Sequence, residues 1–379
     1  MKRATNSAPK VTAQQVAAFR LARHHLIAPD SDDPVAVCRD VCGIQAQLTP
    51  AAKLSISART RGLTAAAIET ALQDSRTLVK ALCMRQTVHL LPATELSLYF
   101  AAVRRSRVAA VVRIMERFGI TSRDRDTLNR VTLELLKDGP LPLRELTSRI
   151  RPRVPARVQA WMDRVWNAAR LALVEGLICY GPDLGQQVTF VRVDQWLPKQ
   201  KQFAEDEAQR LLLRKFLRAY GPATLADFSK WSGIPAGDAR GPWEQVQSQL
   251  AEVSVDGERS WILRGDLAQL ADSRLRGTRV NLLPAFDAFL LAHTEKDHLV
   301  EKKYYKRIYR SLGQISPVVL VDGRVAGIWQ TAPSRSKRFV ALVELFVNSS
   351  KALRARIEEQ AERHAEFLGL QPEVRFIPH

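Results

Sequence analysis

Cysteine is scarce: Cys38, Cys42, Cys83 and Cys179 are the only four in 379 residues. No two form a C-x-x-C pair, so no zinc knuckle or dithiol motif is written here. The scatter is that of reduced thiols in apolar surroundings, as in a cytoplasmic chain. No stretch reaches the roughly 18 consecutive apolar residues of a membrane-spanning helix. The N-terminal MKRATNSAPK lacks the apolar segment of a signal peptide and reads as a disordered tail. Glycine-rich phosphate loops are missing, as is a G-x-S-x-G nucleophile elbow. No His/Cys/Asp cluster has zinc spacing, so neither metal nor cofactor is expected. His364-Ala365-Glu366 imitates the H-x-E of zinc deaminases, but no P-C-x-x-C follows. On a charged helix it reads as a solvated face. The last shortage is of acid: 39 Asp and Glu face 57 Lys and Arg, a net charge of +18.

That excess favours a polyanionic partner, and the preponderance of arginine suits bidentate phosphate contacts. A high-GC coding bias would explain arginine over lysine but not the net excess. Nucleic acid in the cytoplasm, on the nucleoid, is the expected partner, with no membrane.

The chain reads as α+β. Helices, a turn, another helix and a β-hairpin recur three times with variation, the winged-helix pattern. After a tail at 1–11, the first unit and a linker helix cover 12–120. VAAFRLARHHL and AVCRDVCGI are helical there, LVKALCMRQTVHLL reads as strand, and the linker at about 94–118 carries Arg104, Arg105 and Arg107. The second unit, 121–200, includes one long helix, VQAWMDRVWNAARLALVEG. Its apolar face is Val158, Trp161, Val165, Ala168, Ala169 and Ala172, with Arg157 and Arg164 on another side. The third, 201–275, reads most clearly. Thr224 and Asp227 open a helix, Gly233-Ile-Pro235 turns it, and EVSVDGERSWIL alternates across the hairpin signal Asp256-Gly257. From 276 to 379 the chain becomes β-rich, with a second Asp-Gly turn at 322–323 and a final charged helix. KKYYKR, Lys302 to Arg307, reads either as a clamp that stacks on nucleic acid or as a solvent-facing amphipathic helix.

One pentapeptide breaks the pattern. In GIQAQ, Gly43 to Gln47, a helix over 34–48 would place Gln45 on the apolar stripe with Cys38, Val41 and Leu48. A buried amide costs about 1–3 kcal/mol unless it is hydrogen-bonded. Gln47 would lie about 200° away on a regular helix. The two amides converge only if the chain leaves helical geometry after Gly43. Pattern alone reads Gln45 as a structural capping or bridging amide, and His89, alternating with apolar neighbours in RQTVHLL, as a satisfied core histidine.

GIQAQ, MRQTVHLLP at 84–92, NLLPAFDAFLL at 281–291 and GQISPVVLVDGRVAGIW at 313–329 together resemble the AlkZ/YcaQ family of winged-helix DNA glycosylases over about residues 12–377. The resemblance implies three tandem winged-helix units around a concave basic surface, with a β-rich C-terminal domain. It implies excision of bulky or cationic alkylated purines from double-stranded DNA and, in some members, unhooking of interstrand crosslinks. The family's motif of Gln, an apolar residue and Gln maps onto Gln45-Ala46-Gln47, which makes Gln45 and Gln47 the catalytic candidates. Candidate DNA contacts are Arg59, Arg61, Arg85, His89, Arg157, Arg164, Arg335, Lys337 and Arg338. One departure is Gln86, where family members commonly carry the glycine of M-R-G-T-x-H. No covalent nucleophile is implied, so a monofunctional enzyme without lyase activity, acting as a monomer, is expected. A non-enzymatic winged-helix regulator is the alternative. An RNA-binding module ranks below both, because no RRM or KH pattern is present.

Overall fold

In the computed structural model, residues 8–29, 31–165, 168–185, 187–333 and 337–378 are described. They fall into two compact units. One gathers the N-terminal residues to Ile68, Leu213–Trp231 and the chain from Ala236; the other takes Glu69–Leu212 and Ser232–Pro235.

Two sheets build the first unit. In the smaller, the strands Leu250–Val255 and Glu258–Leu263 form the hairpin read from EVSVDGERSWIL. Asp256 and Gly257 both have positive φ, 48° and 96°, as a tight primed turn requires. Lys10–Val11 adds as a parallel third strand beside Ser254 and Val255. The tail expected at 1–11 therefore ends before Lys10, because Val11 finds an apolar pocket with Val16, Phe19, Val253, Ile262 and Leu270. Residues 1–7 lie outside the described residues. The larger sheet has five strands in the order Val280–Leu283, Val318–Val321, Arg324–Ala332, Arg338–Leu345 and Gln371–Ile377. Its first four pair antiparallel. The last pairs parallel, and a parallel neighbour needs a crossover. The helix Lys351–Leu368 supplies it, so a strand rather than that helix closes the chain. Leu283, Phe286, Phe289, Leu290, Val318 and Leu320 form the core beneath this sheet, with Leu21 from the helix Ala13–Arg23 and Leu26 just beyond it.

In the second unit the strands run Val88–Pro92, Leu78–Leu82, Ile178–Tyr180, Thr189–Arg192 and Leu141–Pro142, each antiparallel to the next. The helix Leu96–Glu116 presents Leu96, Tyr99, Val103 and Val111 to the interior. It also buries Arg107, whose guanidinium donates to the carbonyls of Leu82 and Val174. The long helix expected over 158–176 is two helices, Ala156–Arg164 and Arg170–Glu175. The chain turns extended at Val165 (φ −108°, ψ 141°). Val158, Trp161, Ala168, Ala169 and Ala172 are buried nonetheless, so their periodic spacing marked burial without marking continuity.

Candidate nucleic-acid-processing site

GIQAQ follows a helix that stops early. Asp33 caps the helix Pro34–Asp40 by accepting from the Val35 N–H at 2.7 Å, with Pro34 in the first turn. At the other end Cys42 is left-handed (φ 58°) and Gly43 follows at φ 90°. The Gly43 N–H donates to the Cys38 carbonyl at 2.7 Å and the Cys42 N–H to the Arg39 carbonyl at 3.3 Å. Those are the two bonds of a Schellman stop. The Tyr220 hydroxyl donates to the Val41 carbonyl at 2.7 Å, satisfying another terminal acceptor. Helical geometry is thus lost at Cys42 and Gly43, before the point expected, and Gln45 never sits on a helical stripe.

Gln45 instead lies in the short strand Ile44–Gln45, 7% exposed between the buried Ile44 and Ala46. Gln47 is exposed, and the next helix, Thr49–Ser57, starts just beyond it. The opposition that a regular helix would impose on the two amides is therefore absent. One amide is sunk in the protein and its near neighbour is open to solvent.

Arg59 anchors the helix that follows. Its guanidinium makes a two-pronged contact with Asp287, at 2.8 and 2.7 Å. It also donates to the Ser55 carbonyl at 2.8 Å, and the Ser55 hydroxyl donates to Asp287 at 2.7 Å. Both charged side chains are 0% exposed. Arg59 therefore has no surface to offer a phosphate, and its expected DNA contact is replaced by a buried ion pair. Arg61, two residues on, is exposed. His364 is corrected too. It is 2% exposed, hydrogen-bonded to the Ser57 hydroxyl at 3.0 Å and to the Leu282 carbonyl at 2.9 Å, and burial pushes its pKa down to about 4. The helix Lys351–Leu368 turns that face onto the sheet, not to water.

The second unit holds Arg85 and His89 together. Arg85 (φ 52°) and Gln86 (φ 56°) are consecutive left-handed residues in the hairpin turn after Leu82. Such geometry costs a side-chain-bearing residue about 1–2 kcal/mol. It explains why glycine suits position 86, and here the Arg170 guanidinium donates to the Gln86 side-chain amide oxygen Oε1 at 2.7 Å. Gly233 packs on the same turn: a Cβ there would stand 3.0 Å from the Arg85 nitrogen. His89 is 2% exposed. Burial, then the Arg85 charge, pushes its pKa down to about 3, so the ring is neutral. Nδ1–H donates to the Thr87 carbonyl at 2.9 Å, which leaves Nε2 to accept from Arg85 at 3.4 Å. Sunk this deeply, His89 supports Arg85 in place of the direct DNA contact expected of it. Arg157 is held by both oxygens of Asp124 at 2.7 Å, while Arg164 is exposed at the end of its helix.

In the first unit Lys337 and Arg338 are exposed at the start of the strand Arg338–Leu345, Arg338 paired with Glu373 at 3.1 Å. Arg335 lies outside the described residues. KKYYKR is helical but short, a 3-10 turn Lys302–Tyr304 running into the α-helix Tyr305–Ile308: Lys302, Lys303 and Lys306 are exposed, Tyr304 stacks on Phe346 at 4.0 Å and Arg307 pairs with Glu344. Among the described residues no three His, Cys, Asp or Glu side chains are placed to hold a metal, and no helix is long and apolar enough to cross a membrane.

The family described as DNA glycosylase AlkZ-like matches residues 38–367. This chain belongs to that family. It is 28% identical, over 85% of its length and 88% of the relative's, to an interstrand DNA cross-link repair glycosylase of Streptomyces sahachiroi. Its fold is similar to the solved Streptomyces sahachiroi DNA glycosylase AlkZ, with a TM-score of 0.83 and 25% identity, covering 97% of this chain and all of that one.

The protein is thus a DNA glycosylase, as the four motifs implied. What the motifs did not show is how this AlkZ-like chain uses them. The end of the helix that follows GIQAQ is tied to NLLPAFDAFLL through Arg59 and Asp287. The Asp within NLLPAFDAFLL was the available signal, since a carboxylate set among apolar residues requires a buried partner. Arg170 carried no comparable signal, being 84 positions from Gln86.

Proposed function

We propose that this glycosylase hydrolyses the N-glycosidic bond of bulky or cationic alkylated purines in duplex DNA and unhooks interstrand crosslinks, with Gln45 and Gln47 holding the attacking water. The observation that carries this reading is the broken helix: it sinks the Gln45 amide at 7% exposure while leaving Gln47 open two residues later. The relative from Streptomyces sahachiroi, named as a cross-link repair enzyme, supports the substrate class.

The chemistry suits amides. Glutamine is no base; it only accepts and donates hydrogen bonds. A purine alkylated at nitrogen seven already carries a positive charge. As the bond to the sugar's anomeric carbon breaks, its electron pair neutralises the departing base. Water then adds to the oxocarbenium carbon and sheds its proton to solvent. The enzyme must chiefly place that water and stabilise the positive sugar. Positioning contributes up to about 7–11 kcal/mol, against about 10²–10⁴-fold for a general base. The product is an abasic site without strand cleavage.

Binding is electrostatic, through the net charge of +18. The helix–turn–helix–hairpin stretches act as winged helices whose arginines, the exposed Arg61 and Arg164 and the half-buried Arg85 among them, meet phosphates. The enzyme works as a monomer on the cytoplasmic nucleoid. Incubation with a duplex holding one 7-alkylguanine, followed by alkali and heat, tests the reading. Scission at the lesion only after alkali supports it, whereas an intact strand contradicts it.

A further inference from the structure

We propose that Arg170 is a positioning residue for duplex binding: through Gln86 it locks the turn that presents Arg85 to the DNA backbone. This rests on the reading of Arg85 as a phosphate contact.

The turn is over-determined. Arg85 and Gln86 are both left-handed, a conformation that persists at side-chain-bearing residues only where the surroundings enforce it. The enforcement is visible. The Cys83 N–H donates to the Thr87 carbonyl at 2.9 Å, and the Thr87 N–H and hydroxyl both donate to the Met84 carbonyl at 3.0 Å. Gly233 (φ 78°) closes on the Arg85 backbone, where a Cβ would crowd the Arg85 nitrogen at 3.0 Å and its Cα at 3.1 Å. The neutral His89 ring steadies the Arg85 guanidinium at 3.4 Å. None of these grips the Gln86 side chain. Arg170 does, at 2.7 Å, from the first residue of the helix Arg170–Glu175. A glycine at position 86 adopts the same φ without strain but has nothing for Arg170 to hold. Glutamine therefore exchanges a relaxed turn for a pinned one, and pinning lowers the ordering cost of the Arg85 contact when DNA arrives. Arg170 adds a charge-assisted bond, the stronger kind.

A double-mutant cycle tests this. Affinity for an undamaged duplex is measured between 50 and 200 mM salt for the wild type, R170A, Q86G, the double variant and R85A. R170A is expected to weaken binding about tenfold and to flatten the salt dependence by about one phosphate contact. In the Q86G background the same change costs less than twofold, because its partner is gone. On an alkylated duplex the loss appears in the half-saturating concentration and not in the saturated excision rate. An equal cost for R170A in both backgrounds overturns the proposal, since Arg170 would then act independently of Gln86. So does an unchanged affinity in R170A. Should R170A fail to fold, Q86G still decides: its affinity must fall with a flatter salt slope, and a wild-type slope overturns the pinning. If R85A binds as the wild type does, the reading of Arg85 fails and takes this proposal with it. If R85A weakens binding and R170A does not, that reading stands and only the proposal falls.

Discussion

Arg59 and Asp287, 228 positions apart, form a two-pronged ion pair with both side chains fully buried. It fastens the helix after GIQAQ to the strand-and-turn segment of NLLPAFDAFLL. Removing one partner strands the other's charge in the interior.

Arg59→Ala and Asp287→Ala are each expected to cost about 3–5 kcal/mol. Chemical denaturation measures it. Because Arg59 reaches no surface, the salt dependence of DNA binding by the folded fraction should match the wild type. A flatter slope would return Arg59 to the DNA contacts.

Acid should destabilise the protein through its histidines. His24, His89, His293, His298 and His364 all have pKa values lowered, mainly by burial. An unfolded histidine takes its proton near pH 6.5. His364 resists until about pH 4 and His89 until about pH 3. The unfolded chain therefore binds protons first, and stability falls as pH drops from about 6.5 towards 4, by roughly 3 kcal/mol for a group shifted as far as His364. Melting temperature followed from pH 8 to pH 4 checks the sign. Between pH 5 and 8, His89 should impose no inflection on excision.

Duplex affinity should depend steeply on salt. With about 6–10 phosphates contacted, it drops by about 10³–10⁵ between 50 and 200 mM salt. Titration of a labelled duplex measures this, and a flat response would remove the basic-surface account.

Local signals with a fixed chemistry were legible before any coordinates. Asp256-Gly257 and Asp322-Gly323 turn where expected, and Thr224 with Asp227 caps its helix through bonds of 2.9 and 3.2 Å. Features set by distant partners were not. The helix before GIQAQ stops at Asp40 because Cys42 adopts a conformation that cysteine seldom takes, with Tyr220 bonding from a remote helix. His364 looked solvated because its helix is charged, yet one face of that helix meets the sheet. Periodicity showed which residues of 158–176 are buried, but it carried no trace of the break at Val165. At the candidate site the glutamine pair was readable only through the family resemblance and the burial of Arg59 only through its partner, whereas the alternation in RQTVHLL had already marked His89 as a core residue.

The central claim is that the buried and exposed amides of GIQAQ place the attacking water. Single-turnover excision of 7-alkylguanine from a duplex, comparing the wild type with Gln45→Ala at saturating enzyme, tests it most directly. The account predicts that base release is abolished while duplex affinity persists. Release at the wild-type rate by Gln45→Ala would contradict it.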